Sequence, residues 1–462
     1  MSLYIVKFGG SVLNGSDGFR KAADYIVDKN RSKNGYSQMA IAVVSAPFGA
    51  TNILHDIYEN RKDDKARSEK MDELRGIYNR IIWGLPNFLA ESAKEKIKER
   101  RGFLKEHANA GARDAIIGSG EEDSCILLCY NIEAIGLDAK GVAGSEAGFL
   151  INRNGTINME KSRKGLKAML RDLGNKKILV VGGYLGRSVD SNDYKTGTRN
   201  STDAFAVAVA DAANAKNIEI IKNVSGVYRV EEQYGNYGLL DKLSYDEAIK
   251  MTWRGSPVIH PEAVKIARKK RKPIIIKDMK STGTTISEES QTTAKRPVAA
   301  IVTSDRPMFT IIDSTMDLEE STGYLADVAL FEAERGHSIG VEACDAGIIS
   351  YTISIGDVKT KKAPEESIDN NITELREYLK ARGREPSQIN GDAVGTITVV
   401  GDAMKERRGT LEEIFGIVRR SGVSVRSAVQ SDEKYMPPSI SFAVDSDKLE
   451  TTVKALCEEL FK

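Results

Sequence analysis

Leu3-Tyr4-Ile5-Val6-Lys7-Phe8-Gly9-Gly10-Ser11-Val12 is the first readable element of the chain. The apolar and aromatic residues from Leu3 to Val6 predict a buried strand. Two glycines at its end let a ligand approach bare backbone amides, and Lys7 sets a positive charge beside them. Phosphoryl transfer runs mostly on positioning and charge neutralisation, so this arrangement suits it. Read alone, the same residues also fit a tight turn beside a solvated lysine.

Outward from that stretch, strand-like runs at Tyr4 to Phe8, Ala40 to Ser45, Lys177 to Val181, Ile218 to Ile221 and Pro273 to Ile276 alternate with helical patterns as far as about residue 290. The alternation predicts an α/β layer structure with a largely parallel sheet. Loops that carry chemistry are expected where those strands end. Asp56 to His107 is strongly charged and helical, broken near Gly84 to Pro86, and reads as a structural excursion whose apolar stripe packs back on the domain. Thr282 to Arg296, rich in Thr, Ser and Glu, reads as a connector.

Beyond the connector one order of elements occurs twice. A strand at Met308 to Ile312, a helix around Gly323 to Arg335 and strand-like Ser338 to Val341 and Ile348 to Ile353 form the first copy. Gly395 to Val400, a helix around Leu411 to Arg420, Val423 to Val429 and Ser439 to Val444 form the second, which ends with a helix at Lys448 to Phe461. Each copy predicts a small module of antiparallel sheet and helices.

Across 462 residues, 67 Lys plus Arg nearly cancel 66 Asp plus Glu. No global field therefore recruits nucleic acid or an anionic membrane. No apolar run approaches the roughly 18 residues of a membrane span, and the N-terminus lacks a basic segment ahead of an apolar signal core, so cytoplasmic residence is expected. Cys125 and Cys129 stand one helical turn apart in an apolar stretch and read as buried thiols, with no zinc spacing to Cys344 or Cys457. His55, His107, His260 and His337 are scattered without the pairing of a transition-metal site.

Four further segments mix hydroxyls, glycines and charges. Ser45-Ala46-Pro47-Phe48-Gly49-Ala50-Thr51-Asn52 follows a strand, and its hydroxyls suit either a helix N-cap at Thr51 or Asn52 or a small polar substrate. Gly118-Ser119-Gly120-Glu121 opens an apolar helix, where a carboxylate serves the first turn or a substrate ammonium. It lacks the third glycine of a dinucleotide fingerprint. Gly182-Gly183-Tyr184-Leu185-Gly186 opens a polar loop that ends in Thr198-Arg199-Asn200-Ser201-Thr202-Asp203 before an alanine-rich helix. Arg199 there is suited to grip a carboxylate with two parallel hydrogen bonds. No Walker motif and no protein-kinase catalytic loop occurs, so phosphoryl transfer needs another fold.

Taken in order, Lys7 to Val12, Ser45 to Asn52, Gly120-Glu121, Gly144 to Gly148, Gly183 to Gly186, Arg199 to Asp203, Val224 to Tyr228, Leu243 to Ala248, Val258 to Pro261 and Gly283 to Ile286 resemble the aspartokinases of the amino-acid kinase family. The resemblance implies a three-layer amino-acid-kinase domain with a mainly parallel central sheet at residues 1–290, followed by two α+β, ferredoxin-like ACT modules at 298–380 and 390–462. It implies transfer of the ATP γ-phosphoryl group to the side-chain carboxylate of L-aspartate, the first step toward lysine, threonine and methionine. By carry-over, Lys7 and Asp203 are catalytic, with Gly9 and Gly10 cradling the phosphoryl group. Ser45, Thr51, Glu121, Arg199 and Thr202 hold aspartate, while Ser11, Lys222, Asn223, Tyr228 and Val258 join Lys7, Gly9 and Gly10 on the ATP side. Mg2+ travels with the nucleotide, so few dedicated protein ligands are expected and no metal-ligating residue is named. ACT modules further imply an amino-acid effector and a homodimer or higher homo-oligomer.

The chain departs from the family pattern on the nucleotide side. Lys222-Asn223 stands where Thr-Asp is usual, Pro257 replaces a lysine, and both inner glycines of the Arg199 to Asp203 segment are lost. Lys222 is the candidate to restore the missing charge. Two alternatives follow: a kinase of another acidic amino acid, or a regulatory amino-acid-binding subunit whose nucleotide site has decayed. Retention of Lys7 and Asp203 argues against the second.

Overall fold

The computed structural model describes residues 3–30, 39–172, 178–256, 258–335, 337–355, 365–431 and 438–461. The chain divides into two compact units. The first comprises Met1–Val227, Asp241–Tyr245 and Val258–Glu289, and the second Tyr228–Leu240, Asp246–Pro257 and Ser290–Lys462.

An eight-stranded sheet forms the middle of the first unit. Its strands are β1 (Leu3–Phe8), β2 (Met39–Val44), β3 (Ala139–Val142), β4 (Ile178–Gly182), β5 (Ile218–Ile221), β6 (Lys242–Ser244), β7 (Ile274–Lys277) and β8 (Thr284–Ser287). They lie in the order β6-β8-β7-β5-β1-β2-β4-β3. Only β7 and β8 pair antiparallel among these neighbours. The five expected strands are present to within a residue or two. Part of the expected connector is instead β8, whose Thr284 and Ile286 are buried against β7 and β6.

Side-chain alternation sorts the two faces of the sheet. Val6, Phe8, Ala42, Val44 and Val180 join one core with α1 (Gly15–Asn30), α2 (Ala50–Glu59), α3 (Asp64–Ile82), α4 (Asn87–Asn109), α5 (Arg113–Ile117) and α6 (Ser119–Glu133). Ile5, Ile41, Val43 and Val181 are buried on the opposite face. There, after α7 (Met159–Arg171), the wholly buried α8 (Thr202–Ala212) lies against β1, β2 and β5. Burial on both faces is what a parallel sheet requires. Lys7 shares a strand with Ile5 two residues away, so it projects to the α8 side. The charged excursion folds as α3 and α4, broken at 84–86 as expected, with Asp63 capping α3 through the amides of Lys65 and Ala66. Helix α9 (Pro261–Lys270) completes the unit.

In the second unit, β9 (Ala300–Ile312), β10 (His337–Asp345), β11 (Ile348–Ile355), β12 (Gln388–Val400), β13 (Ser427–Ser431) and β14 (Ser439–Asp445) make one antiparallel sheet. The order β10-β11-β9-β12-β14-β13 shows that the two repeated modules share it. Strands β9 and β12 pair from Ala300↔Val400 to Ile312↔Gln388. Strand β9 therefore runs well upstream of the expected Met308 start. Pro307 is tolerated because pairing of β9 with β11 begins only at Met308. Helices α10 (Leu318–Glu334) and α11 (Glu365–Lys380) close one core over β9 and β11, and α12 (Thr410–Arg420) and α13 (Leu449–Leu460) close the other over β12 and β14. Helix α11 was not anticipated from the sequence.

Candidate active site

Parallel pairing brings the C-terminal ends of β1, β2, β4 and β5 side by side, with Lys7 opposite Val43 and Ile220. Asp203, in the first turn of α8, meets Lys7 across this edge. Its Oδ1 lies 2.8 Å from the Lys7 Nζ, and both side chains are buried. Its Oδ2 receives the Lys222 Nζ at 3.3 Å and the His260 backbone N–H at 3.3 Å. Lys222 also donates to the Val258 carbonyl. Burial opposes the charge on Asp203, yet the Lys222 and Lys7 ammoniums hold its carboxyl well below the usual carboxylate range. Burial in turn pulls Lys222 below the ordinary lysine value, against the attraction of Asp203.

The glycine pair behaves differently from the expectation. The Gly9 amide donates to the Ile221 carbonyl at 3.0 Å, extending the β1–β5 pairing, so it is not offered to a ligand. Gly10 and Ser11 make no backbone N–H bond among the described residues. At Gly10 a Cβ would lie 3.0 Å from the Ala46 carbonyl oxygen, a tight approach that favours glycine there. Asn223, next to Lys222, donates to the Ser11 carbonyl at 3.0 Å and ties the two loops together.

On the other side of Lys7, Ser45 is half-buried directly after β2, its N–H bonding the Phe8 carbonyl at 3.2 Å. The cap of α2 is Gly49, in the left-handed region at φ 85°, which places Thr51 inside the first turn rather than at an N-cap. His55 follows Thr51 by one turn and shares its helix face. Burial, with the Arg113 and Arg199 guanidiniums adding to it, pushes the His55 imidazole below its ordinary value. Both arginines therefore stand within electrostatic reach of His55. Arg199 is exposed, beside Asn200 at φ 64°. Thr202 is buried, and Gly183 must be glycine because a Cβ there would lie 2.3 Å from the Thr202 methyl.

Glu121 sits in the first turn of α6 ahead of two more acids. Arg100 on α4 bonds Asp123 at 2.7 Å and Glu122 at 2.9 Å. Tyr78 on α3 donates to Asp123 at 2.6 Å, and Ser145 donates to Glu122 at 2.6 Å. The charged excursion thus partners two of the three acids. Glu121 is 5% exposed, and its Oε2 has no hydrogen-bond partner among the described residues. Burial raises its carboxyl to about 8, against the Ala46 amide and Lys7. Tyr184, at φ 64° after Gly183, is raised by burial and by Glu121. Backbone strain of this kind in a tyrosine concentrates at functional sites.

Glu121 gives a pH prediction. Its folded value exceeds the unfolded one, so between about pH 4.3 and about 8 the unfolded chain releases a proton that the folded chain keeps. Stability from this group is present at low pH and lost as pH rises through that window. Glu121→Gln is expected to raise Tm at pH 8.5 relative to wild type while leaving the two equal near pH 4. Thermal melts without substrate at both pH values check it.

Of the expected site residues, Lys7, Gly10, Ser11, Ser45, Thr51, Glu121, Arg199, Thr202, Asp203, Lys222, Asn223 and Val258 all belong to the first unit, around the strand ends. Tyr228 falls in the second unit, and Pro257 lies outside the described residues. Sequence reading missed His55, Arg113 and Tyr184 and left His260 without a role. The one available signal was the spacing of Thr51 and His55.

A model of the amino acid kinase family matches residues 2–278, and an ACT domain model matches residues 397–460. An aspartokinase of Corynebacterium glutamicum is 25% identical over 464 residues, covering 99% of this chain and 96% of that protein. Lysine-sensitive aspartokinase 3 of Escherichia coli is 21% identical, covering 100% and 99%. The crystal structure of E. coli aspartokinase III in complex with lysine and aspartate has the same fold, with a TM-score of 0.80 at 20% identity and full coverage of both chains. With its family model spanning residues 2–278 and the lysine-aspartate-lysine cluster standing at the sheet edge, the chain belongs to the amino acid kinase family.

Proposed function

We propose that the chain transfers the γ-phosphoryl group of ATP to the side-chain carboxylate of L-aspartate, giving 4-phospho-L-aspartate and ADP. One observation carries this reading: Asp203 holds Lys7 at 2.8 Å and Lys222 at 3.3 Å at the strand ends, near the buried Glu121, whose Oε2 has no hydrogen-bond partner among the described residues. The aspartate carboxylate is already ionised at neutral pH and needs no general base. A new bond forms from its oxygen to the γ-phosphorus as the bond to the ADP oxygen breaks. Lys7 and Lys222 neutralise the charge spread over the transferring group. Glu121, ionised once an ammonium arrives beside it, takes the substrate amine. Arg199 takes the α-carboxylate, with Ser45, Thr51 and Thr202 as hydroxyl neighbours. ATP would be taken as its magnesium complex, the metal supplying charge neutralisation, and the Gly10, Ser11, Asn223 and Val258 backbone region would receive it. Relatives that are themselves aspartokinases along almost their whole length support the reading.

ADP release measured against aspartate, glutamate and other acidic amino acids tests it. Aspartate is expected to turn over fastest; faster turnover of another acid replaces the substrate, and none with any acid leaves the regulatory-subunit reading. The proposal extends to an amino-acid effector at the ACT modules, dimerisation through them and cytoplasmic residence. The cysteines Cys125, Cys129, Cys344 and Cys457 are free, and no helix among the described residues is long and apolar enough to cross a membrane.

Lys222 is proposed to supply the charge that Pro257 lacks. Lys222→Ala is expected to raise the KM for ATP, lower kcat or both by about tenfold or more, the worth of one charge-assisted contact, with the aspartate KM little changed. Steady-state kinetics with each substrate varied check it. Unchanged ATP parameters would sink the assignment.

A further inference from the structure

Three parts of the first unit meet on His260, whose side chain takes no part in the phosphoryl transfer. Its backbone N–H donates to the Asp203 Oδ2 at 3.3 Å. Its Nδ1 accepts the Glu262 N–H at 3.3 Å and so caps α9, where Pro261 holds the first helical position. Its Nε2 stands 3.2 Å from the Thr198 hydroxyl oxygen. These contacts fix the tautomer. A ring nitrogen that accepts an N–H carries no proton, so in the neutral imidazole the proton sits on Nε2 and is donated to the Thr198 Oγ1.

Thr198 directly precedes Arg199. Arg199 and Asn200 are exposed, and Asn200 lies in the left-handed region at φ 64°, so the guanidinium is aimed by whatever anchors this turn. The Gly197 N–H reaches the Tyr184 carbonyl at 2.7 Å, the Thr198 N–H the Gly155 carbonyl at 3.1 Å, and the Ser201 N–H the Thr198 carbonyl at 3.0 Å. A second bond ties the same region to α9: the Ile157 N–H, two residues after Gly155, donates to the Glu262 Oε1 at 2.7 Å. The start of α9 therefore holds the turn twice, through the Thr198 side chain and through the segment that takes the Thr198 N–H. We propose that His260 is a positioning residue: through Thr198 it holds the turn that carries Arg199 and so sets where that guanidinium meets the substrate carboxylate. This rests on the reading of Arg199 as the grip on aspartate.

His260→Asn separates positioning from a merely structural role. Asparagine is a good helix cap and keeps the backbone N–H on Asp203, but its side chain is too short to reach Thr198. His260→Asn and Thr198→Val are each expected to raise the aspartate KM about fivefold, the worth of one neutral hydrogen bond, with kcat and the ATP KM within about twofold of wild type and Tm little changed. The double variant is expected to match the single ones, because both remove the same contact. Backbone hydrogen exchange over residues 196–202, a readout independent of turnover, is expected to quicken in both variants. Unchanged exchange overturns the proposal. So does an aspartate KM in Thr198→Val within about twofold of wild type, a loss confined to kcat, or a double variant in which the two losses add. Wild type that releases ADP with no acidic amino acid removes the aspartate reading instead, and the exchange rates then decide the hold of His260 on the turn by themselves. Should His260→Asn fail to fold, Thr198→Val decides alone, since it replaces a half-buried hydroxyl with a methyl of the same shape.

Discussion

Lys7→Ala is expected to lower kcat by about 10²- to 10³-fold, the cost of removing one preorganised charge from a transition state that develops charge in a water-poor site. Lys7 is almost completely buried and is held by Asp203 at 2.8 Å. Lys222 stays on the other oxygen at 3.3 Å and keeps Asp203 partnered, which spares the fold. The loss should therefore appear in turnover, with Tm only modestly lower and the aspartate KM changed much less than kcat. Steady-state kinetics and thermal melts together distinguish this from a variant that has simply unfolded. Turnover within about threefold of wild type would remove Lys7 from the chemistry.

Asp203→Asn should cost as much activity and considerably more stability. The carboxylate accepts from Lys7, Lys222 and the His260 amide, and the neutral amide of asparagine leaves two ammonium groups facing each other at a buried position. Breaking a buried charge cluster by removing one partner costs about 3–5 kcal/mol, and both lysines lose the group that aims them. The pH dependence has a definite sign. Asp203 has a depressed folded value, so its contribution is present above the unfolded carboxylate range and disappears as pH falls below about 4. Denaturation curves of wild type and variant are expected to differ most near neutrality and to converge in acid. A stability gap that stays constant from neutral pH to well below pH 4 would show that the charge on Asp203 is not what holds the cluster.

Much of the fold was legible because a parallel sheet covered on both faces writes itself as continuous apolar runs, such as Leu3 to Val6 and Ile218 to Ile221. Strand β9 was read short. Its middle, Thr303-Ser304-Asp305-Arg306-Pro307, looks like a loop, and only pairing with β12 over its full length makes it a strand. Gly9 was read as a ligand-binding amide because nothing local shows that Ile221, more than 200 residues away, takes its N–H. Arg113 and His55 were missed for the same reason. One lies on α5 and the other on α2, and their shared neighbourhood with Arg199 exists only after three segments converge.

The order of short motifs in the sequence was enough to identify Lys7, Glu121, Arg199 and Asp203 as candidates, since residue type and local strand or helix ends already carry that chemistry. Which of those groups is charged, and by whose company, came only from the tertiary structure. Arg100 and Tyr78 are taken up by the acids beside Glu121, and burial raises the Glu121 carboxyl to about 8. Lys222, arriving from a different strand, shares Asp203 with Lys7. Charge state depends on burial and on partners distant in the chain, and neither is a property of the residue or its neighbours in sequence.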